Sequence, residues 1–432
     1  MTAVFSAAFL ALLALTTALR VWLSLRQMRH VAAHRHAVPA AFAGRISLAE
    51  HRKAADYTVA KLRLGLFELA ADTLLLLVST YGGLLAAFDR FWRGFFPDAG
   101  LAYGLALFAS VGLTGFLVGL PFAVKRIFGI EARFGFNKMT PRLFLADLAK
   151  QLVLTVLIGA PLLLFVLWLM EAMGRHWWLY VWLTWLAFNL LVLLLYPTFI
   201  APLFNKFTPL AEGEVKQRIE TLLARCGFAS SGLFVMDGSK RSAHGNAYFT
   251  GFGKSKRIVF FDTLIDKLEP AETEAVLAHE LGHYRRHHIA KRIAVMATLS
   301  LAVLWLLGQL IDQPWFYAGL NAGEAIKVGA DGTARNTALA LILFSLVLPV
   351  FAFPLTPLFS ALSRRHEFEA DAYAAQQTDG RALISALVTL YRDNAATLTP
   401  DPLHSLFYDS HPPAAVRIAH LESLSRQEPS PC

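Results

Sequence analysis

About seven stretches of this sequence are apolar over the roughly twenty residues that a helix needs to cross a bilayer. They fall at 3–25, 64–88, 101–123, 150–171, 178–203, 292–311 and 337–362. A backbone in lipid finds no water for its N–H and C=O groups, so such stretches are confined to helices that satisfy those groups internally. Composition agrees: hydrophobic residues make up 56% and charged residues only 16%, against about a quarter in soluble domains. Mean hydropathy is +0.48. The expected class is a mainly α, polytopic membrane protein. The first stretch lacks the basic leader and clear small-residue cleavage site of a secretory signal, so it is expected to be a retained span.

A net charge of +9 would suit nucleic acid if the basic residues formed one stripe with aromatics between them. Instead they are spread over alternate connections, so the bilayer is the expected partner and nucleic acid is not. Arg26, Arg29, Arg35, Arg45, Arg52 and Lys53 follow the first span, and Lys125, Arg126, Arg133, Lys138 and Arg142 follow the third. A further basic set runs from Lys240 to Arg292 after the fifth, and Arg364 and Arg365 follow the seventh. The intervening connections hold only Arg90, Arg93, Arg175, Lys327 and Arg335. Positive charge collects on the cytoplasmic side, which puts the amino terminus outside and the carboxyl terminus in the cytoplasm. The two cysteines, Cys226 and Cys432, form neither a disulfide framework nor a thiolate metal site. Cys432 also lacks the three following residues of a prenylation box.

Four regions follow from this pattern: spans one to five in 1–203, a cytoplasmic module in 204–291, spans six and seven in 292–362, and a cytoplasmic segment in 363–432. Within the module, residues 212–226 place Val215, Ile219, Leu222 and Leu223 on one helical face. Strand-like runs at 232–236, 246–252 and 257–261 are separated by the turn formers Asp237-Gly238 and Gly253-Lys254, so a small β-sheet is expected. The polar ending from Arg426 is expected to fray.

The module closes on His279-Glu280-Leu281-Gly282-His283. Residues four apart share a helix face, so both imidazoles can reach one metal ion while Glu280 stands beside it. Two neutral imidazoles on a zinc ion and a glutamate that takes a proton from water make up the chemistry of a zinc peptidase. Pro270 suits the first helical turn, and Glu272 and Glu274 place negative charge near the positive end of the dipole. A surface helix whose histidines bind nothing would look the same, so a third ligand is required. Just past the seventh span, Glu367 and Asp371 are four apart and share a face. Glu367 can ligate the metal, and Asp371 can accept from the far nitrogen of a ligand histidine, with His279 the expected partner. Glu369, off that face, and His366, one residue from it, are the rival ligands. In the competing reading, Arg364 and Arg365 anchor at the membrane edge and the carboxylates are their solvated partners. His287 and His288 read as the polar, membrane-facing end of the metal helix.

With these residues in view, the sequence resembles the type I CaaX prenyl protease group, which are integral-membrane zinc endopeptidases. The resemblance rests on His279 to His283 and on Arg365-His366-Glu367-Phe368-Glu369-Ala370-Asp371. It also rests on Glu131-Ala132-Arg133-Phe134-Gly135-Phe136-Asn137-Lys138, Pro202-Leu203-Phe204-Asn205-Lys206-Phe207, Ser239-Lys240-Arg241, Gly245-Asn246-Ala247-Tyr248 and Ser410-His411-Pro412-Pro413. It implies a seven-span helical barrel around a large chamber, with a Zn2+ site reached from the cytoplasmic end. It further implies an endopeptidase cutting near the carboxyl terminus of isoprenylated peptide or protein substrates. No organelle-targeting extension is evident, so a bacterial inner membrane is the expected location, or the endoplasmic reticulum membrane in a eukaryote.

Three more residues enter as site candidates. A substrate must lie extended across the zinc, and a strand edge at Asn246 to Phe249 offers backbone hydrogen bonds for that. Asn246 would hold a substrate amide, or is an ordinary turn asparagine. By resemblance His411 would donate to substrate or to the developing oxyanion, the alternative being a surface turn histidine. Arg417 matches the group's pattern and would bind a substrate carboxylate or form a structural pair. The alternative functions are a broad membrane quality-control zinc protease, whose relatives have fewer spans, and a non-catalytic membrane scaffold with structural zinc. The scaffold would need a fourth protein ligand.

Overall fold

The computed structural model describes residues 1–250, 257–326 and 336–427. The turn expected at Gly253-Lys254, the basic residues Lys327 and Arg335, and the end of the tail lie outside them. Among the described residues six helices are long and apolar enough to cross a membrane: Thr2–His34, Leu101–Phe134, Pro141–Ala172, Gly174–Phe204, His288–Leu310 and Thr337–Gln377. A seventh crossing comes from Leu48–Ser79 and Leu84–Phe95, which meet at a bend of 51°. The stretch expected as one span at 64–88 is therefore broken. Gly83 adopts a left-handed backbone with φ 76° at the break, a conformation glycine takes without the Cβ clash of other residues. At Gly82 a side chain would stand 2.7 Å from the Val78 Cα.

Several helices outrun their apolar stretches on the basic side. Leu48–Ser79 begins at Ser47, whose hydroxyl accepts from the Glu50 N–H (3.2 Å) while the Glu50 carboxylate accepts from the Ser47 N–H (2.7 Å). This reciprocal cap satisfies two donors that a helix start would otherwise leave open.

Tight apolar packing gathers at the other end of the spans. Phe9, Leu85, Tyr103, Leu107, Met170, Trp177, Leu307 and Leu339 are all buried there in one cluster. Elsewhere the spans are bare: only 6% of the apolar window is buried in Leu101–Phe134 and His288–Leu310, and 11% in Pro141–Ala172 and Gly174–Phe204. A helix in a close-packed bundle covers a broad stripe of its surface. Helices this bare leave most of their apolar surface uncovered by the rest of the protein.

The module after the fifth span holds four strands: β1 (Phe207–Pro209), β2 (Leu233–Met236), β3 (Ala247–Thr250) and β4 (Arg257–Phe261). Their order is β1-β2-β4-β3. β2 and β4 are parallel, with Leu233 opposite Ile258, and β3 runs antiparallel to β4, with Ala247 opposite Phe260. β3 is thus an edge strand. The core beneath joins Ile219, Leu222, Phe260, Leu277 and Leu281 to Leu383, Leu387, Ile418 and Leu421 from the chain's last third, and to Phe42 and Ile46 from its first connection. Three distant pieces of chain therefore build one apolar interior.

Polar contacts lock this module to the membrane helices. The Arg241 guanidinium donates to both Asp147 carboxylate oxygens (2.8 and 3.0 Å) and to Asn205 Oδ1 (2.8 Å), and Asn137 forms a β-bridge with Ser242. A bidentate guanidinium–carboxylate pair fixes direction as well as distance, so the module is held against the helix that carries Asp147.

Candidate metal centre

Helix Pro270–Arg285 carries the His279 to His283 string, with Pro270 at its start and a reciprocal cap between Glu269 and Glu272. It lies along helix Thr356–Gln377, the continuation of the last span beyond its apolar stretch. Gly282 of the first faces Ala370 of the second, and small residues at a crossing allow two backbones to approach closely.

That crossing brings three side chains together. His279 Nε2 lies 3.2 Å from His283 Nε2 and 3.3 Å from Glu367 Oε2, and His283 Nε2 lies 3.4 Å from Glu367 Oε1. Each offers one ligand atom within 4.8 Å of the others. His279 and Glu367 are buried, and Glu367 Oε2 has no hydrogen-bond partner. A buried carboxylate facing two imidazole nitrogens is costly unless positive charge, from a proton or a metal cation, lies among them. Two imidazole nitrogens and a carboxylate oxygen, with no fourth protein ligand in this group among the described residues, fit a catalytic divalent metal better than a closed structural site.

Behind His279 the chain is dry and charged. Asp371 Oδ1 lies 2.9 Å from His279 Nδ1, and Arg417 donates from Nε (2.8 Å) and Nη2 (2.6 Å) to the two Asp371 oxygens. Asp371 is fully buried and Arg417 is only 5% exposed. Burial alone would lower the His279 pKa, but the Asp371 and Glu367 carboxylates outweigh it and raise it to about 9. For Glu280, burial pushes the carboxyl above its ordinary value, with His279 and His283 opposing the shift.

His411 brings Nε2 to 3.4 Å from Glu367 Oε1 and its Nδ1 to 2.9 Å from Ser410 Oγ. Its side chain is 58% exposed, at the open side of the three ligand atoms. Asn246 stands at the entrance to β3, exposed, with Oδ1 accepting from the Ala247 N–H (2.9 Å) and its carbonyl accepting from the Phe261 N–H (2.9 Å).

One residue set aside in the sequence reading, His288, is placed differently. His288 is 5% exposed rather than membrane-facing. Its Nδ1 lies 2.9 Å from His283 Nδ1, and its Nε2 lies 3.1 Å from Glu369 Oε2. The His366 ring stacks on it at 4.0 Å between centroids. The cause is His287, whose left-handed backbone (φ 58°) breaks the helix and starts a new one at His288, with its ring against His283. Helical spacing extrapolated through that break points His288 the wrong way.

The chain was compared with known proteins. A family model described as CAAX prenyl protease N-terminal, five membrane helices, matches residues 27–206, and the model of Peptidase family M48 matches 209–425. CAAX prenyl protease 1 of Saccharomyces cerevisiae is 36% identical over 76% of this chain and 74% of its own. The Homo sapiens CAAX prenyl protease 1 homolog is 32% identical over 84% of this chain and 83% of its own. The crystal structure of S. mikatae Ste24p superposes with a TM-score of 0.89 at 30% identity, covering 97% of this chain and 99% of that one. The chain belongs to peptidase family M48, in the CAAX prenyl protease 1 group, and is a multi-pass membrane metalloprotease that acts on peptide bonds.

Proposed function

We propose that this protein is a zinc endopeptidase that cuts near the carboxyl terminus of prenylated proteins, with its active site facing the cytoplasm. One observation carries the reading: His279, His283 and Glu367 converge with their ligand atoms within 4.8 Å of one another, beside Glu280. The names of the yeast and human relatives supply the substrate class, and a chamber between the apolar spans would receive a prenyl chain. The basic connections supply the orientation.

His279, His283 and Glu367 would hold zinc, and a bound zinc ion supplies polarisation of a water molecule and of the scissile carbonyl. Glu280 takes the water's proton and delivers it to the leaving amine; a carboxyl raised by burial is the better matched base near neutral pH. The open edge of β3 holds the substrate backbone as an added strand, and Asn246 turns its amide toward the peptide. His411 donates to the carbonyl oxygen as negative charge develops there. Of the two roles open to Arg417, its burial against Asp371 supports holding that carboxylate on His279 rather than meeting substrate.

The test uses purified wild type, Glu280→Gln and Glu367→Ala, with zinc measured by mass spectrometry and cleavage by a farnesylated peptide and its unprenylated twin. The wild type is expected to hold zinc and to cut the farnesylated peptide faster. Glu280→Gln should keep zinc and lose cleavage, and Glu367→Ala should lose both. An active Glu280→Gln protein, or equal rates on the two peptides, would overturn the corresponding half of the reading.

A further inference from the structure

An imidazole that ligates a metal through Nε2 carries its proton on Nδ1, and that proton needs an acceptor. For His279 the acceptor is the Asp371 carboxylate at 2.9 Å. For His283 the partner is a second imidazole, His288, with 2.9 Å between the two Nδ1 atoms. Two imidazoles share a hydrogen bond only when one nitrogen bears the proton and the other is bare. Glu369 decides which. Its Oε2 lies 3.1 Å from His288 Nε2, and a carboxylate only accepts, so the His288 proton sits on Nε2 and its Nδ1 is free to accept from His283. The chain of bonds then leaves His283 Nε2 bare, where it faces Glu367 Oε1 and His279 Nε2 at 3.4 and 3.2 Å.

We infer that His288 and Glu369 are positioning residues for the metal site, a two-step relay that holds His283 in its metal-binding tautomer and orientation. The surroundings are built for it. His288 is nine-tenths buried, its ring is fixed by stacking on His366 at 12° between planes, and Glu369 is held from its other oxygen by Arg365 Nε at 3.2 Å. The left-handed His287 that makes the approach is a conformation a non-glycine residue keeps only when its surroundings hold it there. The two ligand histidines are therefore supported unequally. His279 meets an anion locked in a dry interior, whereas His283 meets a neutral ring whose anion lies one bond further out, with Glu369 31% exposed.

The inference rests on the proposed metal site, and zinc affinity is its readout. Metal-free wild type, His288→Leu, His288→Asn and Glu369→Leu would be titrated with zinc against a chelating dye, and each metal-free protein melted. His288→Leu is expected to bind zinc about 10- to 100-fold more weakly, with an unchanged metal-free melting temperature. His288→Asn should recover most of the loss, because its Oδ1 takes the place of Nδ1 as acceptor. Glu369→Leu should weaken binding by a smaller factor, and being at a partly exposed site it tests the relay even where His288→Leu fails to fold. Zinc affinity at the wild-type level in His288→Leu or Glu369→Leu, or a His288→Asn protein as weak as His288→Leu, would overturn the relay. Absence of zinc binding in the wild type would instead overturn the metal reading beneath it.

Discussion

A β-carbon added to Gly282 would stand 2.8 Å from the Cα of Ala370 and 3.0 Å from its carbonyl oxygen. Gly282 lies between His279 and His283, and Ala370 lies between Glu367 and Asp371, so the two helices touch backbone to backbone where their ligands meet. Gly282→Ala gains up to about 1 kcal/mol in helix propensity but overpacks a contact with no flexible side chain to yield, at a cost of about 1–3 kcal/mol. The packing loss wins. The variant should melt lower and bind zinc more weakly than wild type, as thermal unfolding and metal analysis would measure; a more stable protein would show that the crossing is slack.

Arg417 and Asp371 form a buried pair with two hydrogen bonds. Removing the guanidinium in Arg417→Met strands a buried carboxylate, and loss of one partner of such a pair costs about 3–5 kcal/mol. Arg417→Lys, a point charge without the fork, should recover only part of it. The double variant with Asp371→Asn should be less destabilised than the two singles summed, which a thermal-melt cycle would show. Additive losses would mean that the pair is not coupled.

His411 lies outside the converging ligand group. His411→Ala should therefore retain zinc while kcat falls by about 100- to 1,000-fold, the usual cost of removing one donor to a developing oxyanion. KM should change little. Steady-state kinetics with metal analysis would check this, and loss of zinc from the variant would instead make His411 a ligand.

Asp401 joins the first span to the chain's last third. It accepts from Arg26 Nε at 2.8 Å and from the Leu403 and His404 N–H groups at 3.0 and 3.1 Å, while its own N–H donates to the Gln27 side chain at 2.6 Å. Burial would raise its pKa, but the Arg26 and His404 hydrogen bonds outweigh burial and hold it below the ordinary value. A depressed folded pKa adds stability that is complete above the unfolded value of about 3.9 and is lost as pH falls through the folded one. Asp401→Asn should thus cost about 1–2 kcal/mol at pH 7, and the difference in melting temperature from wild type should shrink below about pH 4. A constant difference across that range would remove the ion pair as its cause.

Much of this molecule is legible because helical period is a local property. Apolar runs long enough for seven crossings, the four-residue step from His279 to His283 and the same step from Glu367 to Asp371 are all read within one turn or one stretch of chain. The failures fall where local continuation stops. Gly82 and Gly83 break the second crossing, and left-handed His287 sets the His288 ring against His283, because one residue's φ redirects everything that follows it.

What the amino-acid order determined by itself was the set of stretches apolar enough to cross a membrane, the alternation of basic and non-basic connections between them and the residue types able to hold a metal. Hydrophobicity, charge and helical spacing need no knowledge of distant contacts. That Glu367 Oε2 stands 3.3 Å from His279 Nε2, that Arg417 pairs with Asp371 and not with solvent, and that Glu369 reaches His288 were decided only by the tertiary structure. Each depends on how closely two helices far apart in the chain can cross, and side-chain volume at a crossing sets that distance only once both helices are in place.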